Sequence, residues 1–451
     1  MAKGNDIDLE AISMKNENVR KSELTREKQR LLWEEIALTD KIRLILPVIL
    51  FAFYWCNIKE ETLFRKLQLI FLALIPFLCE NDKRYIYILY FINIIIIFYY
   101  LLELLYYRKI KINYTFIWYF LFLAYIIFSG ITRGVNREWF SGVRNYIFFS
   151  LGTFCVYYNV KESKNNLVKI AKINISVIFI IALIQTIEGY IKYHYWIRAS
   201  APMVAPNYFA MIIFLQLYLL GLEKEEEFNK INIYKFLGLI CIIMSQSVTG
   251  LLGMIVWLSD IKAIRYRRKG IYASFFTCII LGVLGLVTLR IYNASLFNNL
   301  FYSQGDRMII WAIYINMFQT NPLFGIGYNM AASRAKLYVF NLPQNKVMLD
   351  MFQMQMNSAG ENFLVASHNE LIKLLTETGV VGTIIFLIYI FAMYKKIDRR
   401  NRMDIVFFII CMLFFITQNP LQGYCFWLLF LLPLFEDKSE NKLILETSYE
   451  R

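Results

Sequence analysis

The sequence predicts an all-α, polytopic integral membrane protein with about 11–12 transmembrane helices and a large extracytoplasmic loop near its C-terminal third. Three observations predict it. The chain is 58% hydrophobic and 17% aromatic, with mean hydropathy +0.47, more apolar surface than a soluble chain of 451 residues can hide. The apolar residues come in blocks, several of them long enough to cross a bilayer. The blocks are continuous rather than alternating, so helices are favoured over barrel strands as the way to pair backbone groups inside lipid.

Residues 1–42, rich in Lys, Arg and Glu, read as a cytoplasmic basic N-terminal segment. Within it "SELTREKQRLLWEEIALTD" is a candidate surface helix, with Leu24, Leu31, Leu32 and Ile36 toward lipid. A solvated tail is the alternative. No apolar leader core interrupts this polar stretch, so no cleavable signal peptide is expected. The transmembrane domain is placed at 43–435, followed by a cytoplasmic tail at 436–451. Its expected spans lie near 43–58, 64–79, 85–106, 113–129, 145–160, 170–187, 206–222, 272–289, 379–394, 403–417 and 421–435. The segment 233–260 admits two readings: one interrupted span, or two short helices with a turn at "SQSVTG". No internal repeat is visible, which weakens readings that need two related halves.

The loops "KAIRYRRKG" (262–270) and "KKIDRRNR" (395–402) are dense in Lys and Arg and should be cytoplasmic. Residues 290–378 then form the extracytoplasmic loop. Counting every earlier block as a crossing places "RKIK" (108–111) outside, against the same rule. Either one early block does not cross, or 233–260 crosses an odd number of times. The formal charge of +14 is assigned to the short loops and to a phosphate-bearing substrate, not to nucleic acid. The seven cysteines all lie in or beside apolar runs without metal-ligand spacing or a disulfide framework, so they read as packing residues.

Three extracytoplasmic stretches carry chemistry-bearing residues. "ASHNELIKLLTETG" holds His368, one of two histidines in the chain. Ser367 and Glu370 have capping-box spacing, which puts His368 in a first helical turn. A helix N-terminus disfavours added positive charge, so this histidine should stay neutral, as a general base requires. An interfacial histidine that only helps cap the helix is the bland alternative. "YWIRASAPMVAPNYF" brings Arg198 and a Pro206-Asn207 helix start, with Arg198 a candidate oxyanion clamp or a snorkelling side chain. "GDRMIIWAIYINMFQTNPLFGIGYNM" spaces Arg307, Trp311 and Tyr314 on a short amphipathic helix that should stop near Asn321-Pro322 and turn sharply at 325–327. "GIG" is not a nucleotide loop, because no strand precedes it and the P-loop lysine is missing.

Taken in order, these motifs resemble the O-antigen ligase and polysaccharide-repeat polymerase superfamily, over roughly the C-terminal two thirds of the chain. The resemblance rests on four features. They are Arg198 through Asn207, "SQSVTGLLG" (245–253), Arg307 through Asn329, and "SHNELIKLLTETGVVG" (367–382) with Asn369, Glu377, Gly379 and Gly382. One departure is that Val248 follows Ser247 where the family often has arginine. The insert at 331–366, with its run "MLDMFQMQM", matches nothing in that pattern.

The resemblance implies a glycosyltransferase that works without a metal or cofactor at the outer face of the bacterial cytoplasmic membrane. Its donor is a glycan on undecaprenyl pyrophosphate, and its acceptor is a second glycan. Its expected partners are the bilayer and a chain-length regulator and flippase of the same pathway. His368, Arg307 and Arg198 are the expected catalytic residues, and Asn207, Asn369, Glu377 and Trp311 the expected substrate-binding residues. Polymerisation of repeat units into O-antigen or capsule is favoured over ligation of a finished chain, from the AT-rich codon signature of the composition and from the insert. A lipid-linked oligosaccharide flippase is the alternative from another class. Glu103 is the one obvious charge deep in an apolar block that such a pathway has to offer.

Overall fold

A computed structural model describes residues 37–59, 62–78, 83–107, 114–160, 163–194, 197–200, 205–222, 232–263, 307, 310–335, 337–338, 367–397, 402–418 and 420–431. The candidate surface helix of the N-terminal segment, the span at 272–289, the Met-rich run of the insert and the Glu103 side chain lie outside the described residues. The chain divides into two compact units, Met1–Phe53 and Tyr54–Arg451. The described part of the first is helical and exposes Ile45, Val48, Ile49, Phe51 and Phe53. It belongs to α1 (Ala37–Asn57).

Among the described residues every regular element of the second unit is helical. In order they are α2 (Leu63–Leu74), α3 (Lys83–Tyr107), α4 (Tyr114–Arg133), α5 (Arg137–Val160), α6 (Lys164–Tyr193) and α7 (Pro206–Gly221). Then follow α8 (Ile233–Ser245), α9 (Val248–Ala263), α10 over 310–320, α11 (Ala331–Arg334), α12 (Glu370–Lys396), α13 (Arg402–Thr417) and α14 (Tyr424–Leu431).

Several ends differ from the hydropathy blocks. Helix α5 starts at Arg137 rather than 145, α6 spans Lys164–Tyr193 rather than 170–187, and α12 starts at Glu370 rather than 379. A hydropathy block drops a polar first turn, yet such a turn is still helix when a cap or a buried partner holds it. At α5 the cap is Asn136, whose Oδ1 accepts the Trp139 N–H at 2.8 Å. The expected span at 64–79 is a shorter helix followed by a 3₁₀ turn at Ile75–Phe77, where Pro76 cannot continue the α pattern. The two readings of 233–260 resolve into two short helices. Gln246 closes α8 in the left-handed conformation (φ 48°), and Ser247 opens α9 by accepting the Gly250 N–H at 3.0 Å.

Aromatic contacts set the directions of the helices. Tyr90 stacks on Phe149 and Tyr100 meets Phe154 edge-on, so α3 and α5 run parallel. Phe122 lies 4.8 Å from Phe386 and Tyr119 5.9 Å from Tyr389, so α4 and α12 run antiparallel. Helix α14 is apolar on all sides and buried throughout. Trp427 meets Tyr146 edge-on at 5.3 Å, and the Tyr157 hydroxyl donates to the Leu428 carbonyl at 2.5 Å.

The outside of this bundle is apolar. Ile180, Ile184, Ile187 and Ile191 form an exposed stripe at helical spacing on α6, and Ile384, Leu387 and Phe391 do so on α12. Gln68, Asn93, Asn174 and Gln216 are turned inward. Lys164–Lys192 and Glu370–Lys396 are long and apolar enough to cross a membrane. Among the described residues seven shorter apolar helices accompany them.

Helix α4 ends with Arg133 beside Gly327, at the end of the bundle where α12 begins. A 20-residue helix is about 30 Å long, so Tyr114 lies at the far end. Tyr114 therefore lies at the same end as Ala263, where α9 ends, and Lys396, where α12 ends. Because 233–260 forms two helices, an even number, the charge rule then requires that one early apolar block does not cross.

Candidate active site

The end of the bundle that begins α12 gathers residues from six elements. The best-held part is a crossing of two broken backbones. Helix α12 loses its helical path at Gly379 (φ 65°, ψ −171°). A break inside a helix leaves carbonyls before it and N–H groups after it without partners. The turn that follows α10 supplies four of them, and the Tyr125 hydroxyl of α4 donates to the Thr378 carbonyl at 2.6 Å. Ile326 N–H and Gly327 N–H donate to the Thr376 and Glu377 carbonyls at 3.0 Å each. Val380 N–H and Val381 N–H donate to the Pro322 and Leu323 carbonyls at 2.8 and 3.1 Å. The backbones come so close that a Cβ on Gly325 would sit 2.4 Å from the Glu377 carbonyl, and one on Gly379 2.4 Å from that of Leu323. Both glycines also have positive φ. This is why "NPLFGIG" and "TETG" occur together in one chain.

Just before α12 the local structure differs from the capping-box expectation. His368 is left-handed (φ 50°), so the helix cannot include it. The N-cap is Asn369, whose side chain accepts the Ile372 N–H at 3.1 Å. Ser367 instead braces the bend: its Oγ accepts the Asn369 N–H at 3.3 Å and donates to the Asn369 carbonyl at 2.9 Å. Glu370 does not reach back to Ser367. It is fully buried, 3.5 Å from Lys373 Nζ, and accepts the Leu421 N–H at 3.4 Å. His368 thus precedes the helix, and the helix dipole is not what favours its neutral form. Burial is the main cause and the nearby Arg307 cation the second. Together they hold its imidazole below the usual histidine range, against the opposing effect of the Gln418 side chain as acceptor.

Arg307 is in turn close enough to Arg198 for its cation to act on the Arg198 guanidinium. Burial, and then Arg307, hold Arg198 below the usual arginine range, and burial does the same to Arg307. Arg198 Nε and Nη2 donate to the carbonyls of Ser245 and Gln246 at 3.3 and 3.1 Å, so the arginine is fixed against the break between α8 and α9. Next along the chain, the Ser247 hydroxyl donates to Asn207 Oδ1 at 2.5 Å at the start of α7. Two residues on, Thr249 donates to the Thr417 hydroxyl at 2.8 Å. Thr417 precedes Gln418, whose side chain acts on His368 as acceptor. These contacts form a circuit from Arg198 through 245–247 and Thr249 to Thr417, and the Arg307 cation acts on both Arg198 and His368. The N-terminus of α9 sits within it. Two cations and a helix N-terminus at one place suit an oxyanion with two charged groups.

The other expected substrate-binding residues fall differently. Asn207 is in the circuit. Trp311 donates its indole N–H to the Ser367 carbonyl at 2.8 Å, behind His368. Asn369 serves as the cap. Glu377 is fully buried, accepts the Ala331 N–H at 3.3 Å and lies 4.0 Å from Lys373 Nζ. Asn369 and Glu377 therefore act on the shape of the site from within. Sequence reasoning missed Gln418 and Thr249. The signal for Gln418 was present as "TQNP", a polar interruption between two apolar runs. Among the described residues no three His, Cys, Asp or Glu side chains gather where they could hold a metal ion.

No curated protein matches the chain. Residues 233–387 match the O-antigen ligase family model, Wzy_C. The matched segment holds the break at 245–247, Arg307, the 321–329 turn, His368 and Gly379, and it leaves Arg198, Asn207 and Gln418 outside. Over that segment, and in the motifs it contains, the chain is similar to the O-antigen ligase superfamily.

Proposed function

We propose that this protein is a multi-pass enzyme of the bacterial cytoplasmic membrane. It polymerises oligosaccharide repeat units carried on undecaprenyl pyrophosphate, and it does so at the outer face. The observation that carries this reading is the convergence of Arg198, Arg307, His368 and the start of α9 at one end of an apolar-surfaced bundle. The exposed isoleucine and phenylalanine stripes support a lipid-facing exterior. The basic loops at the opposite end support placing the site on the non-cytoplasmic side.

The chemistry is substitution at the anomeric carbon of the donor. An acceptor hydroxyl oxygen forms the new glycosidic bond while its proton passes to the neutral imidazole of His368. The bond from the anomeric carbon to the pyrophosphate oxygen breaks, and its electron pair leaves with the lipid pyrophosphate. Arg198 and Arg307 meet the charge that grows there. They are held in place beforehand, which is where such stabilisation counts most. A bound anion between them offsets the repulsion of two like charges. Asn207 and Trp311 line or back the same space, and Asn369 and Glu377 keep its frame.

The family match favours a second reading, transfer of a finished glycan to a different acceptor. One experiment separates the two. The purified protein is given lipid-linked repeat units alone, and products are resolved by size. A polymerase makes a ladder that is lost in Arg307→Ala. A ligase makes no ladder until its acceptor is added. Failure with any acceptor, in a monodisperse preparation, contradicts both. Sidedness is checked separately with a single cysteine at the exposed Thr320 in a cysteine-free background. An impermeant thiol reagent should label it in spheroplasts; labelling only after lysis would overturn the orientation.

A further inference from the structure

We infer that Arg144 holds the second lipid pyrophosphate of the reaction, the one that stays attached to the acceptor while the donor's leaves. This deepens the reading above and rests on it. Joining two carrier-linked units brings two pyrophosphates to one protein. Arg198 and Arg307 meet the one that departs. The other lies a whole oligosaccharide away from the reacting hydroxyl, so it needs a cation of its own.

Arg144 has the right place. It lies in α5, seven residues past Arg137, and its partner Tyr90 lies in α3, seven residues past Lys83. The two helices run parallel, and α5 starts at the end of the bundle that carries the site, where the Asn329 side-chain amide donates to the Glu138 carbonyl at 2.7 Å. At 1.5 Å per residue both residues are about 10 Å in from their helix starts. The outer surface at that level is apolar. Tyr87, Phe91 and Ile94 form an exposed stripe on α3, and Phe140 is exposed one turn before Arg144 on α5. A cation in such surroundings is costly unless it is paired.

Its pairing within the protein is incomplete. Nη2 donates to the Tyr90 hydroxyl at 3.0 Å, to Ser141 Oγ at 3.2 Å and to Asn145 Oδ1 at 3.5 Å, and the guanidinium lies over the Tyr90 ring at 4.3 Å. The Tyr90 hydroxyl in turn donates to Asn145 Oδ1. Phe148, one turn further along α5, packs on the same ring at 5.7 Å. Among the described residues these hydrogen-bond partners are all uncharged. All three bonds use Nη2, and Nε is buried without a hydrogen-bond partner. A snorkelling arginine extends its head to water. This one is half-buried and held by one nitrogen and one face, with its charge unmatched. The charge calls for an anion, and the apolar stripe beside it calls for a hydrocarbon chain joined to that anion. Together they describe a lipid phosphate, whose oxygens an arginine binds well.

The test is a competition in the full-length protein, held in nanodiscs of zwitterionic phospholipid. A trace of labelled lipid-linked donor is offered two acceptors at once: the lipid-linked repeat unit, and the same unit as a free glycan without pyrophosphate. The ratio of the two products is the ratio of their kcat/KM values. Wild type should prefer the lipid-linked acceptor. Arg144→Gln should cut that preference by about 10- to 100-fold, the scale of one charge-assisted hydrogen bond, and leave the rate on free glycan near wild type. A loosened fold would lower both rates together and leave the ratio alone. An unchanged ratio in Arg144→Gln, or a wild type without preference, would overturn the inference while the polymerase reading stands. A wild-type preference that collapses when phosphatidylglycerol is added to the discs would overturn it too, since Arg144 would then serve bulk anionic lipid. Should Arg144→Gln not fold, Arg144→Lys decides in its place. Charge without the planar fork should give a smaller fall in the ratio, and no fall would overturn the inference. If wild type forms neither product, the polymerase reading itself fails.

Discussion

Two breaks interrupt the helices near the site, and they are closed in opposite ways. At Gly379 the freed backbone groups of α12 are met mainly by another backbone, through four hydrogen bonds from the turn at 322–327, with the Tyr125 hydroxyl on the Thr378 carbonyl. At 245–247 the freed groups meet mainly side chains, beside one backbone bond from the Ala199 N–H to the Met244 carbonyl at 2.9 Å. Arg198 binds the carbonyls that end α8, Ser247 caps the start of α9, and Asn207 holds Ser247. The first closure has no room for a ligand, because glycines on both strands bring the main chains together. The second leaves a guanidinium edge and a helix N-terminus available. In a water-poor environment both kinds of break need full internal pairing. A break paired by backbone is a hinge pin, and a break paired by side chains can also be a binding site.

The sharpest way to break this contrast is at the pin. Gly379→Ala adds a Cβ 2.4 Å from the Leu323 carbonyl and forces a side chain onto φ 65°. The conformation alone costs roughly 1–2 kcal/mol, and the overlap adds to it. Folded yield and melting temperature in detergent should collapse, with activity lost in proportion to folded protein. A well-folded Gly379→Ala would show that the junction is looser than drawn.

At the open break the expected loss is of rate, not of fold. Arg307→Ala should reduce transfer on the order of 10²–10³-fold, as for removal of one preorganised oxyanion partner. Arg307→Lys should lose less, since charge remains and the fork does not. Arg198→Lys should fall further than Arg307→Lys, because Arg198 also spans the Ser245 and Gln246 carbonyls. Steady-state rates on lipid-linked donor, set beside melting curves, check all three. Equal losses in the two lysine variants would mean that the contacts at 245–246 carry no weight in catalysis.

Smaller effects sharpen the boundary of the site. Asn369→Ala removes a helix cap worth about 1 kcal/mol and should lower the melting temperature modestly. His194→Ala should change neither rate nor melting temperature appreciably. His194 is exposed and closes α6 in a left-handed turn, and alanine loses little there beyond the conformation. A large rate loss in His194→Ala would extend the site beyond the circuit described.

The helical class and most helix positions were legible in the sequence, because apolar blocks report burial in lipid or in a bundle core. What was not legible is what a block average discards. The polar first turns of α5, α6 and α12 fall outside the apolar runs, so those helices looked short. The capping box before α12 failed for a local reason. Asn369 caps as well as Ser367 does, and the left-handed His368 between them moves the helix start two residues on. Spacing alone cannot choose between two adjacent good caps. His368, Arg198 and Arg307 were each visible as scarce polar residues beside apolar runs. That they stand together was not, since Arg198 and His368 are 170 positions apart in the chain. Gln418 was hidden by its chemistry, as an uncharged residue at a span end carries no signal until its partner is known.

The most direct measurement is the single-turnover rate of purified His368→Gln on lipid-linked donor and acceptor at neutral pH, with wild type and His194→Ala beside it. Glutamine keeps a hydrogen-bonding side chain but has no nitrogen that can take a proton at that pH. The expected result is a loss on the order of 10²–10⁴-fold with donor binding retained, the usual scale for a missing general base. A rate close to wild type would contradict the assignment and leave His368 as a residue that orients the acceptor.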